Sequence, residues 1–521
     1  MLKNSQKIAG RRAARTVIAV APFAAGLFLA AGFVPGLLQQ SRAQGENAAA
    51  GKSVEGKTAV AVPTLPRSTF PCVNTVTNTR PVTDVFNEKF TEIHGVSTGD
   101  EFGASVAAGD FNHDGFMDIA VGARGDVVGQ GMSKGMVYIY MGSAAGIATT
   151  PSIVLSGEQA KGEFGRTMTA GDINGDGYAD VIVGAHGTDA GKGTHQGRVF
   201  IYYGGPKGIG ATPSLVLTGE NKGDEFGRTF DVVDMDKDGV NDLLIGASGH
   251  TGNLTSQGKI YIYRGTKQGL DPKPWFTRAG DNANDEFGRS LAGADVNGDG
   301  FMDLIVGTPG LTGAGKGARV TVPGSMYVFN GSANGISTTP SFKTTAAVVG
   351  AHLGEGLAAV GDANGDGYAD VAIGERDYSC QGGVAGKIIM YLGGPNGFSA
   401  DRTWSMVGKG FTGLGRSVAR GADLNGDGYA DFMTSAPSGT GKDGAGVHIF
   451  FGGPKGWGDP MLLSFDAGSL GTSMFMAGDI NGDGAPDLVT GAASGGPNKE
   501  GMIRVYYGKI KAKAPAPAAK R

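Results

Sequence analysis

Aspartate, asparagine and glycine recur in this chain at a spacing that suits a hard cation. The pattern Asp-x-(Asn/Asp)-x-Asp-Gly-x-x-Asp occurs seven times, starting at Asp110, Asp172, Asp234, Asp295, Asp362, Asp423 and Asp479. Positions 1, 3 and 5 put three oxygen-bearing side chains on the inside of a tight loop. Glycine at position 6 allows the sharp turn that a Cβ would obstruct. Position 7 offers its backbone carbonyl, and the aspartate at position 9 completes the shell. Six or seven oxygens in a flexible loop suit Ca2+ better than the smaller, octahedral Mg2+, and a donor set without Cys or His excludes a zinc-type site. An EF-hand would need a bidentate Glu at position 12. Position 12 here is Val121, Val183, Ile245, Val306, Ile373, Thr434 or Thr490, and none brings a carboxylate. The loop must close at position 9, as it would between two strands of a hairpin.

The expected ligands are Asp110, Asn112, Asp114, Phe116 and Asp118 in the first loop, and Asp172, Asn174, Asp176, Tyr178 and Asp180 in the second. The third offers Asp234, Asp236, Asp238, Val240 and Asp242, and the fourth Asp295, Asn297, Asp299, Phe301 and Asp303. The fifth has Asp362, Asn364, Asp366, Tyr368 and Asp370, and the sixth Asp423, Asn425, Asp427, Tyr429 and Asp431. The seventh has Asp479, Asn481, Asp483, Ala485 and Asp487. Up to seven Ca2+ are expected. Asp236 gives the third loop a fourth carboxylate and an expectation of tighter binding. Pro486 precedes the closing Asp487 and is expected to restrict the seventh loop.

Something must hold these loops in register. Successive copies are 62, 62, 61, 67, 61 and 56 residues apart. Each repeat carries four short apolar runs separated by Gly, Asn and Asp, which are strand signals. The run after each loop, such as Val181-Ile182-Val183, is continuously apolar and suits a strand buried on both faces. One such sheet cannot bury both faces alone, so the repeats must stack or close into a ring. Candidate outer strands are Val85–Ile93, Ile153–Leu155, Leu215–Leu217, Trp275–Thr277, Ala346–Val349, Trp404–Val407 and Met461–Phe465. No outer strand follows Ile503–Tyr507, whereas the first segment has one to spare. The sequence thus predicts an all-β, seven-bladed propeller of four-stranded blades, closed by an N-terminal strand that completes the last blade.

Composition agrees. Glycine supplies 95 of 521 residues without a three-residue period, which excludes collagen, and 40% apolar content argues against simple disorder. A net charge of −4 argues against a nucleic-acid binder. Two cysteines, Cys72 and Cys380, cannot make a disulfide scaffold; they either pair with each other or stay as thiols. Residues 1–43 carry Lys3, Lys7, Arg11, Arg12 and Arg15 before an acid-free apolar run, and Ser41-Arg42-Ala43 offers a cleavage site. This reads as a signal peptide or, alternatively, a membrane anchor, and puts the protein outside the cytoplasm as a secreted, periplasmic or cell-surface chain. Residues 44–80 read as a flexible linker, 81–510 as the propeller and 511–521 as a basic Ala/Pro tail.

Phe102-Gly103, Phe164-Gly165, Phe226-Gly227 and Phe287-Gly288 precede their loops by seven or eight residues, and Gly122-Ala123, Gly184-Ala185, Gly246-Ala247 and Gly307-Thr308-Pro309 follow them. This pattern, over roughly residues 82–510, resembles the FG-GAP repeat of integrin α-subunit propellers. The resemblance implies seven blades, calcium in the hairpin between a blade's first two strands, and adhesive or protein-binding roles through the opposite face. The last three repeats depart from it: Leu353-Gly354, Leu414-Gly415 and Leu470-Gly471 stand one residue further upstream. A Leu in the core position with a one-residue bulge would absorb the difference. Nothing resembles the remaining integrin domains.

Other motifs are weaker. Gly310–Gly317 approaches a phosphate loop but lacks the Ser or Thr that would hold magnesium. His186 and His195 read as exposed histidines of one loop. Arg124-Gly125-Asp126 is the tripeptide many integrins recognise, and Glu375-Arg376-Asp377-Tyr378 mixes charge with an aromatic; each also reads as an ordinary loop. No catalytic set is found. The sequence therefore points to a non-enzymatic module binding a protein or glycan on the face opposite the calcium loops, with no nucleic-acid role and membrane contact only through an uncleaved anchor. The alternative is a secreted polysaccharide or phospholipid hydrolase or lyase with its site at the central pore. A convergence of His, Tyr or Glu at that pore would favour it.

Overall fold

The computed structural model describes residues 81–509 except 126–133, 190, 192–194, 311–321, 381–382, 409–411, 439–445, 455–456, 459 and 465–470. The leader, linker and tail, Cys72, Asp126, Leu470 and nearly all of Gly310–Gly317 lie outside the described residues.

Seven antiparallel sheets of four strands are arranged as a β-propeller. Blade 1 runs Phe102–Gly109, Asp118–Ala123, Met136–Tyr140 and Ile153–Ser156 from first to fourth strand, and blades 2 to 6 repeat that order. First strands of consecutive blades contact one another around the whole circle, including blade 7 against blade 1, so they line the central channel. Second strands are buried at every position, as in Asp180–Ala185, Asp242–Ala247 and Asp370–Glu375. That is why they read as unbroken apolar runs rather than alternating ones.

Blade 7 contributes Ser473–Gly478, Asp487–Ala492 and Met502–Gly508, and its fourth strand is Phe86–His94. Phe86 stands opposite Gly508, and Ile93 opposite Ile503. Val85, Phe86 and Ile93 are buried, while Phe90 is 44% exposed, as befits an outermost strand with one wet face. The closure expected from the chain's ends is the closure observed.

Seven apolar clusters hold the ring, each between two consecutive blades. The seam is no exception: Ile93 and Ile503 pack with Phe102 and Val121 of blade 1. The glycines of the repeat have a shared cause. Gly165 follows the buried Phe164 with φ +79°, and its carbonyl lies against Gly122 of the preceding blade, leaving no room for a Cβ there. Ser105 Oγ donates to the same carbonyl at 2.6 Å, and Thr167, Ser290 and Ser473 repeat that bond between other blades. Phe-Gly and Gly-Ala are thus two halves of one inter-blade contact.

The three Leu-Gly blades carry the extra residue as anticipated. The register slips by one residue between Ala359 and Gly361, between Ala419 and Ala422, and between Met476 and Gly478. Leu353 and Leu414 fill the buried position of the phenylalanine. One outer strand lies upstream of its expected place. Blade 4 ends in Phe342–Thr345, not Ala346–Val349. Lys343 lies over the Tyr327 ring and Thr344 bonds Tyr391, whereas Val348 and Val349 are about half exposed in a turn.

Candidate functional site: acidic loops on one face, a charged mouth on the other

Each acidic loop joins the first strand of its blade to the second, so all seven lie on one face. Their internal bonds repeat. In the second loop the N–H groups of Gly175 and Gly177 donate to the two oxygens of Asp172 at 2.7 and 2.8 Å, and those of Asp176 and Tyr178 donate to Asn174 and Asp176, each at 3.0 Å. The backbone therefore aims positions 1, 3 and 5 inward.

Position 9 opens the second strand and is completely buried. Asp118 accepts the Phe111 N–H at 3.0 Å on one oxygen and the Gly142 N–H at 2.8 Å on the other. The same two bonds recur at Asp180, Asp242, Asp303, Asp370, Asp431 and Asp487. The closing aspartate thus ties the loop to the turn that follows the third strand. Burial, with smaller contributions from neighbouring loop carboxylates, pushes these carboxyls up to about 7, and Asp431 to about 8.

The donor set, all hard oxygen on a bent loop, fits Ca2+. Carboxylate oxygens of Asp234, Asp236 and Asp242 lie within 4.8 Å of one another. The fourth carboxylate of that loop is not free charge, however, because Arg264 bonds Asp236 and offsets it. Arg402 does the same to Asp366 in the fifth loop. Pro486 leaves the seventh loop unaltered in this respect: Asp487 takes the Ile480 and Gly508 N–H groups, each at 2.8 Å.

The opposite face carries a feature the sequence reading missed. Glu163, Glu225 and Glu286 precede the Phe-Gly pair and Arg166, Arg228 and Arg289 follow it, at the channel end of the first strands. The three glutamates have φ of +54 to +57°, a strained setting for a residue with a Cβ. Arg166 bonds both Glu163 oxygens at 2.9 Å. His186 Nε2 lies 2.8 Å from Glu163 and 2.7 Å from Arg228. Arg289 reaches Glu355 of blade 5, and Arg376 bonds the same carboxylate at 2.6 Å. Burial and the adjacent Arg289 pull Arg228 down to about 10. The recurring Glu-Phe-Gly-Arg string was the available signal.

One expectation is corrected here: His186 is buried rather than exposed, and it meets Glu163 and Arg228 in a His–Glu–Arg group on the face opposite the acidic loops. Arg124 is engaged by Glu101, Asp377 by His352 and Arg376, and Glu375 faces Lys387, so both loop motifs singled out above are tied into ion pairs. In the channel itself, Arg420 of blade 6 grips both oxygens of Asp231 of blade 3 at 2.8 and 3.0 Å.

His186 makes stability acid-sensitive. Burial and the facing Arg228 hold its imidazole at about 4, against about 6.5 when unfolded. A lowered histidine favours the neutral form on folding, so its contribution is complete above pH 6.5 and is lost as pH falls from 6.5 toward 4. Across that window His186→Asn should flatten the stability–pH curve by about 2–3 kcal/mol relative to the unaltered chain. Urea melts of both proteins in chelator check this, and parallel curves would reject it.

The fold and its loops define a seven-bladed propeller with one acidic hairpin loop per blade. Comparison with known proteins agrees with that class. The FG-GAP repeat model matches residues 102–140, 164–202, 287–331, 414–449 and 475–506, and an FG-GAP-like repeat model matches 234–306. This is an FG-GAP repeat protein with an integrin-like propeller. The chain is 34% identical to integrin alpha-5 of Xenopus laevis over 221 residues, 40% of this chain and 20% of that protein. It is 33% identical to integrin alpha-V of Gallus gallus over 247 residues, 45% of this chain and 21% of that protein. It is 38% identical to phosphatidylinositol-glycan-specific phospholipase D of Bos taurus over 165 residues, 29% and 19% respectively. The chain thus spans about a fifth of the length of these relatives. No helix among the described residues is long and apolar enough to cross a membrane.

Proposed function

We propose that this protein is an exported, calcium-stabilised propeller that binds a protein or glycan partner through the face opposite its acidic loops. The observation that carries the reading is the division of labour between faces. One face repeats a hard-oxygen loop seven times, and the other gathers arginine, glutamate and histidine at the channel mouth. Calcium would be held by positions 1, 3 and 5, the carbonyl of position 7 and the carboxylate of position 9. Its role there is structural: it neutralises carboxylates that the fold has already gathered. The integrin relatives support a binding role.

The test is capture of surface extracts and arrayed glycans on the full chain, with calcium and with chelator. Arg289→Glu should abolish calcium-dependent capture in protein that still melts in a single cooperative transition. Capture insensitive to Arg289→Glu would move the binding surface elsewhere.

A second reading is favoured by one observation, the His186–Glu163–Arg228 convergence, and by the phospholipase D relatives. On that reading the channel mouth is a hydrolytic site. Turnover of a polysaccharide or phospholipid substrate that is lost in His186→Asn would replace the binding proposal.

A further inference from the structure

The position-7 residue of an acidic loop faces two loops at once. Its backbone serves its own loop: the Tyr368 N–H donates to Asp366 at 3.2 Å. Its side chain covers the preceding loop. The Tyr368 ring lies so close to Gly298, position 4 of the fourth loop, that a Cβ there would stand 2.6 Å from it. Tyr429 covers Gly365 of the fifth loop equally closely, and Phe116 covers Gly482, which carries the contact across the seam from blade 1 to blade 7. Val240 lies against Gly175 in the same way.

Where position 4 is not glycine, the contact persists in another form. The His113 ring meets Tyr178 with centroids 5.7 Å apart, and its Nδ1 is 2.7 Å from the Gly177 carbonyl. Lys237 Nζ sits 4.9 Å from the centre of the Phe301 ring. Six junctions are therefore bridged. At the seventh, between loops 6 and 7, position 7 is Ala485, which has no side chain long enough to reach across.

Position 4 matters to the cation site through its N–H. Gly298 donates to Asp295, and Gly365 to Asp362, each at 2.7 Å. A ring packed on position 4 thus fixes the donor that aims the position-1 carboxylate. On the calcium reading, the carbonyl of the residue bearing that ring would itself be a ligand of the next loop, so ordering one loop would press the lid onto its neighbour.

We infer that position-7 side chains are positioning residues that couple the acidic loops, each setting the cation affinity of the loop before it. The inference rests on the calcium reading above. It makes uptake cooperative along the series 6, 5, 4, 3, 2, 1, 7, with the break between loops 6 and 7. Couplings carried by packed two-state elements typically change affinity five- to 150-fold, and about tenfold is expected at one junction.

The experiment is a calorimetric calcium titration of the full chain. Tyr368→Ala should weaken one site about tenfold, while Tyr368→Phe should behave as the unaltered chain. Asp299→Ala disables loop 4 and Asp366→Ala disables loop 5, which locates the effect. Tyr368→Ala should cause no further loss in the Asp299→Ala background and its full loss in the Asp366→Ala background. The reverse pattern, or unchanged uptake by Tyr368→Ala, overturns the inference alone. No calcium uptake by the unaltered chain overturns the calcium reading and the inference with it. Tyr429→Ala, read at loop 5 against loop 6, repeats the test should Tyr368→Ala fail to fold.

Discussion

Chelation of calcium from the full chain should lower its melting temperature by about 10 °C relative to protein held at ten times the dissociation constant. At that concentration each independent site contributes about 1.4 kcal/mol, and seven together contribute about 10 kcal/mol. An unfolding entropy near 2.1 cal/mol/K per residue converts that into about 10 °C for a propeller of some 430 residues. The direction follows from the loops themselves. Three carboxylates per loop, four in the third, are gathered by backbone N–H groups of the folded loop. The folded state therefore has the site ready, and the unfolded chain does not. Magnesium should recover only a small part of the loss, because its octahedral shell fits a loop of this kind poorly. Superimposable melting curves in calcium and in chelator would remove calcium from the account of this fold.

The second large effect concerns the seam. Deleting every residue before 96 leaves all seven acidic loops intact but removes the fourth strand of blade 7. Val85, Phe86 and Ile93 are buried, and their loss alone costs about 6 kcal/mol at 2 kcal/mol per side chain. Gly508, Tyr507 and Arg504 would also lose their bonds to Asn87, Thr91 and Glu92. The uncovered Met502–Gly508 strand would present an unpaired edge, an open template for another chain. This shortened protein should aggregate, or melt at least 10 °C lower, when followed by light scattering and calorimetry. Deletion of residues 1–80 should leave the protein monomeric and its melting temperature within about 2 °C. A monomeric product with unchanged melting after the longer deletion would mean that the seam contributes nothing to stability.

The loops and the ring were legible because both are written in repeats. Seven copies of one spacing expose the loop, and a missing last strand beside a surplus first strand exposes the closure. The Leu-Gly bulges were legible for the same reason, since a one-residue offset against four regular copies has few geometric explanations. The channel mouth was not. Its members come from separate blades, and only the ring brings His186 to Arg228 or Arg289 to Glu355. Asp231 and Arg420 are 189 residues apart, with nothing local in either to suggest the other. His186 reads as an exposed loop histidine because no carboxylate or cysteine stands near it at ligand spacing in the sequence, yet Glu163 and Arg228 enclose it in the fold.

The pairing of Phe86 with Gly508 has a mechanical consequence. The chain enters and leaves the ring at one point, where Lys509 donates its N–H to the Val85 carbonyl, on the same face as the acidic loops. A tether attached to either flank would hold the molecule by that face and turn the arginine–glutamate mouth outward. Tension between the two flanks would be borne by a single strand pair pulled apart from its end. Such a pair opens like a zipper, bond after bond, rather than sharing the load as sheared strands do. The other six blades would feel that force only after the seam had yielded.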